Sequence, residues 1–152
     1  MPTRNTPDLW LPCFPQPKPD GHKYDRGVAL IYGGAQMTGA ARLAARAAQR
    51  VGAGMVVLAT PALSLPIYAE ALESVIVKPC DTLVAWHEML ADKKYNVVLI
   101  GPGLGLGDMQ KQLVLAVLES RKPCVLDADA LTNFSDQPDI LFSKLHDHCV
   151  LT

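Results

Sequence analysis

Six short apolar runs, rich in β-branched residues, recur along the chain: VALIY at 28–32, MVVLAT at 55–60, SVIVK at 74–78, NVVLI at 96–100, PCVLD at 123–127 and HCVL at 148–151. Helix-patterned stretches separate them. This alternation is the strongest constraint on the fold, because strands that alternate with helices form βαβ units and line up parallel in one sheet. The runs are apolar throughout, the pattern of strands covered on both faces, so all six are expected to be central strands. The clearest helix is TGAARLAARAAQRVGAG at 38–54, where alanines carry the buried face, Arg42, Arg46, Gln49 and Arg50 the polar positions, and Gly52 and Gly54 mark the exit. Further helices are expected at 61–73, 82–93, 108–120 and 137–146, with Pro66 counting against the first of these. A chain of 152 residues, 49% of them apolar, buries one core of ordinary size. Before it, residues 1–26 read as an extended entry arm, because Pro12, Pro15, Pro17 and Pro19 cannot continue a helix, which leaves 27–152 as the domain.

A net charge of −1 with scattered Lys and Arg offers no basic stripe for nucleic acid or an anionic membrane, and points to a small-molecule partner. No apolar run is long enough for a signal peptide or a bilayer span, so a cytosolic protein is expected. Cys13, Cys80, Cys124 and Cys149 form no C-x-x-C pair and no zinc-like spacing, and are expected to be reduced and without a role. His87 fits a helix surface, and His146 and His148 flank a turn without metal-ligand company.

In an open parallel sheet, ligands bind beyond the carboxyl ends of the strands. The residues there are Gly33-Gly34-Ala35, Thr60-Pro61, Gly101-Pro102-Gly103-Leu104-Gly105 and Asp127-Ala128-Asp129, so glycine loops and carboxylates gather on one edge. Two phosphate motifs fail on them. The third glycine of G-x-G-x-x-G would fall on Leu106 or Asp108, and the G-x4-G of Gly34 and Gly39 is followed by Ala40 and Ala41, not by Lys and Ser/Thr. What survives is a pair of helix starts, near Thr38 and Asp108, that aim N–H groups at this edge.

Four segments carry a more specific likeness: HKYDRG at 22–27, YGGAQMTGAARLAARAAQRVGAG at 32–54, GPGLG at 101–105 and DADAL at 127–131. In this order they resemble the ADP- or ATP-dependent NAD(P)H-hydrate dehydratases, the ribokinase-like family also called the YjeF C-terminal domain, over about residues 9–152. The resemblance implies nicotinamide nucleotide repair: with ADP or ATP and Mg2+, the S epimer of hydrated NADH or NADPH is phosphorylated at its hydroxyl and loses phosphate to restore the cofactor. Carried across by position, Gly34, Thr38, Gly39 and Ala40 would line the substrate site, and Gly103 and Gly105 would lie against the substrate's nucleotide. Asp127 and Asp129 would organise magnesium, water or substrate hydroxyls, and His22 and Lys23 are weaker candidates from a segment placed near the substrate. Residue chemistry alone leaves blander roles open: a tight turn at Gly101 or Gly107, a helix cap at Asp129, a solvated His22 and Lys23.

In the family, the segment matching HCVLT runs into a Pro-His-x-Gly-Glu element and later a G-x-G-D loop that supplies an anion hole and a general base. Neither follows here. The resemblance thus implies a parallel sheet flanked by helices but incomplete after about its sixth strand, no catalytic base before Thr152, and a chain inactive alone. An open sheet edge would then be covered by self-association or by a complementary half. Two other readings remain: a non-catalytic module that binds a nucleotide or a partner, and another ribokinase-like kinase acting on a sugar or vitamin alcohol.

Overall fold

In the computed structural model, which describes residues 3–152, six parallel strands form one sheet: β1 (Val28–Tyr32), β2 (Met55–Thr60), β3 (Ile76–Pro79), β4 (Val97–Ile100), β5 (Cys124–Leu126) and β6 (Cys149–Leu151). Their order across the sheet is β3-β2-β1-β4-β5-β6. Seven α-helices accompany them among the described residues: α1 (Pro7–Trp10), α2 (Thr38–Val51), α3 (Leu65–Ala71), α4 (Leu83–Ala91), α5 (Asp108–Glu119), α6 (Asp129–Thr132) and α7 (Pro138–Phe142). None of these is long and apolar enough to cross a membrane. The parallel α/β architecture expected from the alternating runs is what forms.

Alternate residues of β1 feed two cores. Val28, Leu30 and Tyr32 pack with Trp86 of α4 and Leu113 and Val117 of α5, and Tyr32 meets the Trp86 ring edge-on at 5.2 Å. Ala29 and Ile31 pack on the other face against Ala41 and Ala45 of α2 and Tyr68 of α3. Small buried residues let α2 lie close to the sheet, while its polar side ties down the next unit: Arg46 donates to the Ala71 carbonyl at 2.9 Å and Gln49 to that of Ser74 at 2.8 Å. Gly52, in the left-handed region at φ 113°, closes α2.

Three local expectations need correction. The strands are not all central, since β3 and β6 are the two edges; Ile76 is 46% exposed and Val150 57%, because each has a neighbour on one side only. Pro66 does not break its helix but sits in the first turn of α3, where the N–H it lacks would be unpaired anyway. The stretch 137–146 holds only the short α7, and a further short helix, α6, begins at Asp129. In the entry segment, helical turns occur at Pro7–Trp10, Leu11–Cys13 and Lys23–Arg26.

Candidate functional site

The strand order reverses between β1 and β4: α2 carries the chain from β1 toward β2, and α5 carries it from β4 toward β5 on the other side. At such a switch point the loops that follow the two strands diverge and leave a crevice at the carboxyl edge. The loops here are Gly33–Gly34 and Gly101–Gly105. Their backbones touch, for a Cβ on Gly34 would stand 1.5 Å from the Gly103 carbonyl oxygen. The buried Tyr68 hydroxyl donates to the Gly34 carbonyl at 2.7 Å and fixes the first loop from the α3 side. Gly34 and Gly103 are therefore required by the packing of the protein against itself.

Gly39 and Gly105 differ from these. A Cβ on either would meet nothing within 4 Å. Gly105 still needs its residue type for its backbone, with φ at 81°, but Gly39 lies in the first turn of α2, where neither conformation nor packing demands glycine. Open space at both residues faces a helix start. Among the described residues, no side chain caps α2, whose first turn is Thr38, Gly39 and Ala40, or α5, which starts at Asp108. By contrast, Thr82 accepts from the Ala85 N–H at 3.1 Å and caps α4. Uncapped first-turn N–H groups and the positive end of the helix dipole together suit an anion.

The two aspartates divide their work. Asp129 Oδ2 accepts from the Gly105 N–H at 2.9 Å, and Asn133, one helical turn on, accepts from the Gly107 N–H and donates to the Gly105 carbonyl, both at 2.9 Å. Asn133 is 4% exposed and was not among the sequence candidates; its signal is a polar residue four positions after Asp129 on the inner side of a short helix. Asp127 makes no side-chain hydrogen bond among the described residues, which leaves its carboxylate available at the end of β5. Between the aspartates, Ala128 is held at φ 48°, a conformation that costs a non-glycine residue about 1–3 kcal/mol and is found most often at functional sites.

His22 and Lys23 are not brought to this edge. They precede β1 at its amino end, where the Lys23 carbonyl abuts Gly54 ahead of β2. A strand the length of β1, about 16 Å, separates them from the loops. Residues Gly105-Leu106-Gly107-Asp108 themselves spell G-x-G-D, which the sequence reading overlooked; they stand at the start of α5, ahead of β5 and not after β6. A concavity of about 360 Å3 between α4 and α5, around His87, Glu119 and Lys122, lies toward the amino side of the sheet, away from the loops. All four cysteines are free thiols, and what spacing does not reveal is that parallel pairing of β5 with β6 sets Cys124 beside Cys149, where His146, expected to stand without metal-ligand company, joins them.

Residues 28–152 match the family model described as NAD(P)H-hydrate dehydratase. The bifunctional NAD(P)H-hydrate repair enzyme Nnr of Coxiella burnetii is 40% identical over 135 residues, which is 84% of this chain and 26% of that protein. The ADP/ATP-dependent NAD(P)H-hydrate dehydratase of Bacillus subtilis, co-crystallised with ATP and Mg2+, superposes with a TM-score of 0.65 at 32% identity, over 77% of this chain and 42% of that one. A ribokinase-like superfamily protein of Enterococcus faecalis shares the fold with a TM-score of 0.73 at 24% identity, over 90% of this chain and 48% of its own. The chain thus spans about a quarter of the repair enzyme and under half of either solved structure.

Proposed function

We propose that this chain, which belongs to the NAD(P)H-hydrate dehydratase family, supplies the substrate-binding edge for adenine-nucleotide-dependent dehydration of the S epimer of NADH or NADPH hydrate. The observation that carries this reading is the open space at Gly39 and Gly105, above a crevice floor closed by the Gly34–Gly103 backbone contact. A glycine in a helical first turn with nothing near it is unfavourable for the helix and leaves room for a ring to approach the backbone.

The residues here suit the groups that the family implies. The free N–H groups at the starts of α2 and α5 match a phosphate, and Asp127 offers the hard oxygen donor that Mg2+ prefers. Mg2+, when bound, neutralises phosphate charge. The protein's share is placement: Thr38 and the first turn of α2 bind, Asp129 and Asn133 hold the Gly105 loop in shape, and Asp127 orients a hydroxyl or a water. Asp129 serves through the loop it holds, which makes it a positioning residue.

On this reading residues 1–152 bind hydrate but are not expected to turn it over unaided, since they span only about a quarter of the repair enzyme and under half of the solved dehydratase. The exposed edge of β6, at Val150 and Leu151, suits a further segment or a second copy. The test is the return of reduced-nicotinamide absorbance when the protein meets S-NADHX, Mg2+ and ADP or ATP. Binding of the hydrate without recovery is expected. Recovery that is abolished in Asp108→Asn would transfer the base to the start of α5 and overturn the account of an inactive chain.

A further inference from the structure

At the amino ends of β5 and β6, on the opposite side of the sheet from the glycine loops, two thiols and an imidazole converge. Cys124 Sγ and Cys149 Sγ stand 3.6 Å apart, and with a ring nitrogen of His146 all three ligand atoms lie within 4.8 Å of one another. Backbone geometry fixes them independently of any ion. Cys124 and Cys149 are register partners across the parallel pair, the Cys124 N–H donates to the His148 carbonyl at 2.9 Å, and the Cys149 N–H donates to the His146 carbonyl at 3.0 Å, closing the turn that presents the imidazole.

We propose that Cys124, His146 and Cys149 form a binding site for a soft divalent metal ion, zinc above all, with three protein ligands and a fourth position left to water or an external donor. Two thiolates at about 2.3 Å from a tetrahedral zinc are about 3.8 Å apart, close to the separation the strands already impose. A second observation points the same way: His146 Nε2 is buried and has no hydrogen-bond partner among the described residues. A buried nitrogen left unpaired is costly unless something occupies it. The His148 N–H donates to His146 Nδ1 over a long 3.4 Å, and that weak contact is given up when Nε2 is loaded and the ring proton moves to Nδ1. Two sulfurs and one imidazole favour zinc over the hard cations that oxygen ligands select. Binding releases the thiol protons and clamps the short edge strand β6 onto β5.

The test is titration of the reduced full chain with Co2+ as a spectroscopic substitute, followed by displacement with Zn2+. One equivalent is expected to give thiolate-to-cobalt charge transfer and the intense ligand-field bands of tetrahedral coordination, both removed by Zn2+. Cys149→Ser is expected to abolish the charge-transfer intensity of the pair, and Cys13→Ser to leave it unchanged. His146→Gln, which keeps both thiols, is expected to weaken Zn2+ binding by at least about tenfold, the least that loss of even an outer-shell partner costs. Should Cys149→Ser fail to fold, slowing of maleimide alkylation of Cys149 but not of Cys13 by Zn2+ in the native chain reads the same site. Absence of the charge-transfer band at one equivalent, or bands that survive Cys149→Ser in a folded protein, would overturn the assignment.

Discussion

A single methyl group separates the two kinds of glycine at the crevice. Gly34→Ala would place it 1.5 Å from a backbone oxygen that cannot swing aside, and should cost about 3 kcal/mol or more, read as a lowered urea midpoint. Gly39→Ala meets nothing and should stabilise α2 by a few tenths to about 1 kcal/mol while it weakens hydrate binding. Loss of stability in Gly39→Ala would mean that the fold, not a ligand, claims this residue. The aspartates separate in the same way. Asp129→Ala removes the acceptor for the Gly105 N–H and should cost about 1–3 kcal/mol, whereas Asp127→Asn should leave the denaturation midpoint unchanged and impair binding. The sequence pointed to all of these residues but could not rank them, because whether a glycine faces backbone or open space depends on a loop some seventy positions away, and Asn133 acts through that same distant loop.

Between elements, buried phenols join the helices to the sheet. Burial pushes both Tyr32 and Tyr68 from the ordinary value of 10.0 up to about 12; at Tyr32 the neighbouring Cys80 and Asp81 add to the effect. A raised value favours the neutral form in the folded state, so this stabilisation is complete below pH 10 and is lost as pH climbs through 10 to 12. Stability should be level with respect to these groups at neutral pH and fall across that window, with phenolate absorbance appearing together with unfolding. Tyr68→Phe should flatten part of the fall and leave the Gly34 carbonyl without its donor. The elements were legible because each strand is a local apolar run and α2 a local alanine pattern. That β3 and β6 are edges was not, since edge or centre is decided by strand order, which no single run encodes. Local spacing likewise could not show that Cys124 and Cys149 are strand neighbours.

Across the whole molecule, the order β3-β2-β1-β4-β5-β6 creates two ends of different chemistry. Among the described residues, the carboxyl end holds open glycines, free helix N–H groups and the unpaired carboxylates of Asp108 and Asp127; the amino end holds the thiol and imidazole cluster. The sheet order is that of doubly wound nucleotide-binding folds, yet the dinucleotide fingerprint is absent, so the proposed function assigns contact with a nucleotide to Gly39 and Gly105 and not to a G-x-G-x-x-G turn. Calorimetric titration of the S epimer of NADPH hydrate into the native chain and into Gly39→Leu tests this most directly. Saturable binding by the native chain, weakened at least about tenfold in a Gly39→Leu protein of undiminished thermal stability, is the predicted result, because a side chain there would fill the space a ligand needs. Equal affinity in the two proteins, or no binding by the folded native chain, would contradict it.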